Sequence, residues 1–168
     1  LVGFDGYLRV SELADVRASD IHEVDDVVRG YTKVLVNLRE KTKTGRNQSF
    51  LMRRGPVAGL LLSWKEYVVA QTGDPTAKLF PGTSEQFSRL WKRSLEVLGV
   101  PSTAIGGYTP ASLRAGGATW HYSAGMPIGE IMWVLRHETE KTARHYVQAA
   151  GAAMASAKLS SAAVARMD

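Results

Sequence analysis

The chain has 168 residues, enough for one domain with its own apolar core, and no cysteine, which excludes disulfides and thiolate metal sites. Its 21 lysine and arginine residues outnumber its 16 aspartate and glutamate residues, and the resulting formal net charge of +5 suits a partner that carries phosphates. No stretch is long and apolar enough to span a bilayer and the first residues lack the pattern of a signal peptide, so we expect an intracellular protein of the cytoplasm, nucleoid or nucleus.

The first third of the chain is predicted to form a short helix followed by a small sheet. Apolar residues recur at roughly helical spacing from Gly6 to Val16. The segment from Tyr31 to Leu38 is rich in residues that favour strands, Ser49 to Met52 is a second short apolar run, and the polar residues 39–47 lie between them. This pattern predicts a β-hairpin, joined by a third strand near Ile21 to Val28.

Helix signals dominate the rest of the chain. A helix is predicted over residues 57–70, with Pro56 in its first turn. Thr83 and Gln86 have the spacing of a capping box and open the clearest amphipathic helix, which Gly99 closes.

Three further helices are predicted towards the C-terminus. The first follows a cap at Thr109 and a first-turn proline at Pro110, Pro127 opens the second, and Thr139 caps a short third helix. The tail, residues 148–168, is rich in alanine and serine. We expect it to form an exposed helix that docks on another surface.

Three residue types suit the breaking of a DNA strand without a metal ion. Arginine binds phosphate oxygens with a planar fork and stays charged. A lysine can donate a proton to the departing 5′-oxygen. A tyrosine oxygen can form a covalent phosphodiester that conserves bond energy for rejoining.

The run YLRVSEL at residues 7–13 resembles the first-arginine motif of tyrosine recombinases of the phage integrase type. By this resemblance, Arg9 is the first phosphate-binding arginine and Glu12 is the residue that orients it. The family places its catalytic lysine in a hairpin loop, often in a Lys-Thr-Gly run. The KTG run that starts at Lys43 therefore implies that this lysine is the general acid, with Lys41 as the alternative in the same loop.

The family's second motif is His-x-x-Arg at a helix start, and the run ASLR that begins at Ala111 resembles it except for the histidine. The resemblance makes Arg114 the second arginine, beside the positive end of a helix dipole. The run LRH at residues 135–137 resembles the family's Leu-Gly-His. It implies that His137 binds a phosphate oxygen and that Tyr146, nine residues later, is the nucleophile.

The resemblance extends from Arg9 to Val147 and implies an α+β, mainly helical fold in which a small antiparallel β-sheet of about three strands packs on a helical bundle, as in the DNA breaking-rejoining enzymes. We expect residues 1–168 to form a single catalytic domain, cut from a longer chain, that acts on double-stranded DNA as a homo-oligomer without metal or cofactor. The predicted DNA-binding residues are Arg39, Lys41, Arg46 and Arg136.

Other interpretations of the same residues stay open at this level. Without its spacing from His137, Tyr146 would be a core aromatic residue, and Tyr108 is a competing nucleophile. His137 and His145 without a third nearby ligand pattern make a weak metal site. For the function, the rivals are a DNA-binding protein descended from a recombinase that has lost cleavage, and an enzyme similar to type IB topoisomerases, against which the small domain argues.

Overall fold

The structure is a computed structural model that describes residues 2–26, 31–39, 48–52, 55–100, 102, 107–147 and 161–165. It has the α+β, mainly helical architecture that the sequence predicts. In chain order the elements are α1 (Val2–Asp5), α2 (Val10–Asp15), a 3-10 turn (Ala18–Asp20), β1 (Ile21–Asp26), β2 (Tyr31–Leu38), β3 (Gln48–Leu51), α3 (Gly55–Thr72), α4 (Ser84–Leu98), α5 (Ala111–Ser123), α6 (Ile128–Leu135), α7 (Glu140–Tyr146) and α8 (Ser161–Ala165). Within the described ranges no helix is long and apolar enough to cross a membrane.

The sheet is antiparallel with the strand order β1, β2, β3, and it confirms the predicted hairpin and third strand. Along β2, Val34, Val36 and Leu38 are buried. Val36 pairs with Ile21 on one side and with Phe50 on the other, and both of these partners are buried too. One apolar face of the sheet therefore points into the protein, as the period of two along a strand requires.

A single apolar cluster joins this sheet face to the helices. Leu61 of α3 belongs to it, and so do Ile131 and Leu135 of α6, which are fully buried. Ile128 and Met132 pack against the same cluster. Because each large aliphatic side chain contributes about 1.5–3 kcal/mol when buried, this stripe fixes α6 and the position of the chain that follows it.

Caps set the ends of α4 and α7 where the sequence predicts them. Gln86 Oε1 accepts from the backbone N–H of Thr83 at 2.7 Å, and Thr83 Oγ1 accepts from that of Gln86 at 3.3 Å. Gly99 closes α4 with a φ of 71°, a left-handed conformation that suits glycine. At the start of α7, Thr139 Oγ1 accepts from the backbone N–H of Thr142 at 3.3 Å.

The first predicted helix starts later than expected. The pattern from Gly6 to Val16 predicts one helix, but α2 begins at Val10 because Arg9 is extended, with φ −69° and ψ 157°, and serves as its N-cap. The preceding four-residue helix α1 was not predicted. Between the two helices Tyr7 has a φ of 47°, which is incompatible with a continuous right-handed helix.

The start of α5 also differs by one residue. Pro110 is its N-cap and already has helical angles, φ −55° and ψ −29°, and no side chain caps the helix. Thr109, which the sequence predicts as the cap, instead donates its backbone N–H to Ser112 Oγ at 3.0 Å.

Helix α1 packs closely against α5 at Gly117. A Cβ atom on Gly117 would lie 2.1 Å from the backbone oxygen of Phe4, far inside van der Waals contact, so only glycine fits. A Cβ atom on the adjacent Gly116 would meet its nearest neighbour, a ring carbon of Phe4, at 3.5 Å, which is an ordinary contact. This close approach brings the turn after α1 next to α5.

We expect Gly117→Ala to destabilise the protein by about 2–3 kcal/mol, because overpacking against rigid backbone typically costs about 1–3 kcal/mol and α1 cannot retreat without opening the core. Urea unfolding measures the change. Gly116→Ala is the matched control, and it should be neutral or slightly stabilising because alanine favours helix over glycine. Equal effects of the two substitutions would contradict the packing described for α1 and α5.

Candidate active site

Arg9 lies at the N-terminus of α2, where Glu12 fixes its position. The backbone N–H of Arg9 donates to Glu12 Oε2 at 2.7 Å, and its Nη1 donates to Oε1 of the same carboxylate at 2.7 Å. The Glu12 side chain is 2 % exposed, whereas that of Arg9 is 42 % exposed. Arg9 is thus anchored through a buried carboxylate while part of its guanidinium stays open to an anion.

Arg114 lies on the first turns of α5 and is almost completely buried, at 3 % exposure. Its guanidinium donates to the backbone oxygens of Tyr7 and Leu135. Its Nη2 also lies 3.2 Å from His137 Nε2. Because arginine can only donate, Nε2 accepts in this contact, and a neutral His137 ring carries its proton on Nδ1. Arg114 therefore links α5, the turn after α1 and the segment after α6.

His137 and Tyr146 lie next to Arg114. The ring centroids of His137 and Tyr146 are 5.0 Å apart, and Arg114 Cζ lies 5.3 Å from the centroid of the Tyr146 ring. Thr119 Oγ1 on α5 donates to the backbone oxygen of Tyr146 at 3.1 Å, which ties the end of α7 to α5. The structure therefore brings together Arg114, His137 and Tyr146, and through Glu12 and its neighbours it also brings Arg9 to the same region.

Arg136 has a different environment from the DNA contact that the sequence predicts. It is buried, and its Nη2 donates to Glu12 Oε2 at 2.6 Å. Its Nη1 donates to the backbone oxygen of Val134 at 3.0 Å and to that of Gly6 at 3.3 Å. Its φ is 58°, a left-handed conformation that costs about 1–2 kcal/mol for residues other than glycine. The side chain thus points inwards to a buried ion pair and does not face solvent.

Burial, together with the neighbouring cations, determines the protonation of this cluster. Burial lowers the pKa of His137 to about 4, and the positive charges of Arg114, Arg9 and Arg136 act in the same direction. Burial also lowers the pKa of Arg136 to about 10, while Glu12 opposes this shift, so Arg136 stays charged at neutral pH. At neutral pH the cluster therefore holds charged arginines around an uncharged His137.

Other predicted residues belong to the hairpin region of the sequence. Lys41, Lys43 and Arg46 fall outside the described residues. Arg39 donates from Nε to Asp20 Oδ1 at 2.5 Å and from Nη2 to Ser19 Oγ at 2.7 Å, so much of its guanidinium is engaged within the protein.

Tyr108 lies just before α5, and Ala111 is its first residue. Tyr108, the competing nucleophile, packs on a separate apolar cluster with Leu95 and Val100, near the end of α4. Ala111, which replaces the family's histidine, is exposed as the first residue of α5. Among the described residues no group of three histidine, cysteine, aspartate or glutamate side chains is placed to hold a metal ion.

Residues 2–152 match the family model described as the Phage integrase family. This chain belongs to the phage integrase family. No curated protein sequence matches it at a significant level.

Solved recombinase structures share the integrase fold of this chain. The XerA recombinase is 19 % identical with a TM-score of 0.67, over 99 % of this chain and 52 % of the other. The XerH site-specific recombinase, bound to palindromic difH substrate in a post-cleavage complex, is 14 % identical with a TM-score of 0.63, over 88 % of this chain and 39 % of the other. The Tn1549 transposon integrase, in complex with transposon right end DNA, is 16 % identical with a TM-score of 0.55, over 91 % and 56 %. This integrase chain therefore spans about half the length of those proteins or less.

Two contributors to this candidate site are not evident from the sequence. The backbone oxygen of Tyr7 accepts from Arg114 and also from Arg136 Nη2, at 3.3 Å in the second case. Thr119 holds the backbone of Tyr146. A backbone carbonyl leaves no signature in a residue pattern. Thr119 comes five residues after Arg114, about 140° around α5 from it, so helical spacing does not group the two residues either.

We expect the stability of this integrase chain to fall between about pH 6.5 and pH 4 partly through His137. The pKa of His137 is lower in the folded chain, at about 4, than the ordinary value of 6.5, so the unfolded chain binds the proton first as the pH falls. This part of the stability is complete above pH 6.5 and is lost on acidification. Urea unfolding at a series of pH values should show a shallower acid loss for His137→Asn than for the wild type, and identical slopes would contradict the assigned environment.

Proposed function

We propose that this chain breaks and rejoins strands of double-stranded DNA as a tyrosine recombinase, through a 3′-phosphotyrosyl intermediate. The observation that carries the proposal is the meeting of Arg114, His137 and Tyr146 within one chain, with the Arg114 guanidinium 3.2 Å from the histidine nitrogen and 5.3 Å from the tyrosine ring centroid. Family membership and the excess of basic residues support it.

Each group has one task in this mechanism. The Tyr146 hydroxyl loses its proton to solvent as its oxygen attacks the scissile phosphorus, and a Tyr–O–P bond forms while the bond from phosphorus to the 5′-oxygen breaks. Arg9 and Arg114 bind the non-bridging oxygens once the surroundings of Arg114 open, and neutral His137 donates the N–H of Nδ1 to one of them. Each such donor is commonly worth about 10²–10³ in rate. Lys43 protonates the departing 5′-oxygen, and the reverse steps rejoin the strand.

Two structures of similar fold are complexes with DNA, one described as post-cleavage, which supports DNA as the partner. Strand exchange joins two duplexes, so the proposal includes a homo-oligomer that assembles on DNA. The tail, residues 148–168, is proposed to contribute to that assembly. Deleting it should then weaken assembly on DNA, measured by light scattering of the protein–DNA complex, and unchanged assembly would overturn that role.

A recombinase-derived DNA-binding protein without cleavage is the second candidate, and two observations favour it. Ala111 stands where the family has a histidine that helps to take the tyrosine proton. Arg114 is 3 % exposed, and its donors already bind acceptors of the protein. A phosphate can reach Arg114 only if the surroundings of His137 and Tyr146 open.

A nicked suicide duplex with a randomised centre distinguishes the two candidates, because cleavage near the nick releases a short strand and traps the covalent adduct. We expect a wild-type adduct on a denaturing gel that is absent in Tyr146→Phe, since the phenylalanine ring has no nucleophilic oxygen. Tyr122→Phe, an exposed tyrosine of α5, is the matched control and should retain the adduct. DNA binding without adduct by the wild type would favour the second candidate, and an adduct in Tyr146→Phe would refute Tyr146 as nucleophile.

We expect Ala111→His to raise the rate of adduct formation by about tenfold or more, because one acid–base group typically contributes about 10²–10⁴. The exposed position at the start of α5 has room for the ring. Ala111→Asn has a similar polarity but no titratable group, and it serves as the control in the same time course on the nicked duplex. A rate for Ala111→His equal to that of Ala111→Asn would show that the missing histidine does not limit the reaction.

A further inference from the structure

Arg136 occupies a backbone position that suits glycine. It is the C-cap of α6 with φ 58° and ψ 44°, a left-handed conformation that disfavours residues other than glycine. The sequence pattern of the family has glycine at this place. The side chain must therefore gain contacts that outweigh the conformational strain, and these contacts show what it does.

Both terminal nitrogens of the Arg136 guanidinium are engaged within the protein. It donates to the backbone oxygens of Val134, Gly6 and Tyr7 and to Glu12 Oε2, and its side chain is 5 % exposed. No direct DNA contact is available to a group buried in this way. Arg136 instead connects the end of α6 to the turn after α1 and to the first turn of α2.

The carboxylate of Glu12 is shared between a buried and an exposed arginine. Its Oε2 accepts from Arg136 and from the backbone N–H of Arg9, and its Oε1 accepts from the Arg9 guanidinium. Without Arg136, the single negative charge of Glu12 would offset the positive charge of Arg9. With Arg136 present, Glu12 is balanced by a cation that is not part of the open site.

We propose that Arg136 is a positioning residue for phosphate binding: it holds Glu12 in the orientation that directs Arg9, and it balances the charge of Glu12 so that Arg9 and Arg114 keep two positive charges for a phosphate. This inference rests on the proposed function for its catalytic consequence. Its structural part, the balance of charge around Arg9, does not depend on cleavage.

Arg136→Gly is a suitable test because glycine fits the backbone conformation, and Arg136→Lys keeps the charge but cannot reach all four acceptors with one nitrogen. At saturating nicked duplex, we expect the rate of adduct formation to fall at least tenfold in Arg136→Gly and by less in Arg136→Lys. The dissociation constant for DNA should change by less than the rate does, because the scissile phosphate is only one of the many phosphates that a duplex offers. A weaker affinity with an unchanged rate at saturation would mean that Arg136 contacts DNA, and unchanged values of both would mean that it only ends a helix. Either result overturns the proposal.

A second measurement separates this inference from cleavage itself. Inorganic phosphate, titrated into the DNA-free protein at low ionic strength and followed by the NMR signals of His137, should bind at least threefold more weakly to Arg136→Gly than to the wild type. Weaker phosphate binding together with a wild type that forms no adduct would refute the proposed cleavage and retain the role of Arg136. Equal phosphate binding by the two proteins, or none by the wild type, would overturn the role of Arg136.

Discussion

Two buried arginines, Arg114 and Arg136, donate to the same backbone oxygen, that of Tyr7. Like charges in a protein interior are strongly unfavourable unless carboxylates or peptide dipoles compensate for them. Here one carboxylate, that of Glu12, and a small set of backbone carbonyls supply the compensation. The positions of Arg9, which Glu12 holds, and of the groups around Arg114 all follow from this arrangement.

The backbone around these arginines is itself unusual. Tyr7 and Arg136 are the residues other than glycine with positive φ within the described part of the chain, and they are hydrogen-bonded to each other. The turn at Tyr7 directs its carbonyl towards both arginines, and the turn at Arg136 directs the side chain back to Glu12. Strain of this kind persists only where the surrounding structure fixes it, and it is concentrated here at the candidate active site.

Much of the fold could be predicted because local rules agree with the tertiary structure. The capping box at Thr83, the glycine at position 99 and the apolar stripe of α6 are all short-range signals, and each gives the element found. That His137 and Tyr146 belong to one site was implied by the family resemblance and not by a local rule, and the structure places their rings 5.0 Å apart.

The environment of Arg136 was not predictable in the same way. Its partner Glu12 lies 124 residues earlier in the chain. From the sequence alone, an arginine in place of a glycine at a predicted helix end is expected to be exposed. Only the left-handed turn and the burial of Glu12 reveal that the side chain points inwards. The late start of α2 has a similar cause, because the extended conformation of Arg9 depends on a buried carboxylate and not on helix propensity.

The protein acceptors that already bind the Arg114 guanidinium affect how a ligand would bind there. A long, freely rotating arginine loses much rotamer entropy when it grasps an anion, but the Arg114 side chain is already held by Tyr7 and Leu135 in the ligand-free chain. An incoming phosphate would exchange acceptors on a guanidinium whose direction is set beforehand. The direction of the Arg114 side chain is therefore set when the chain folds, so that binding a phosphate would require local opening but little ordering of the arginine itself.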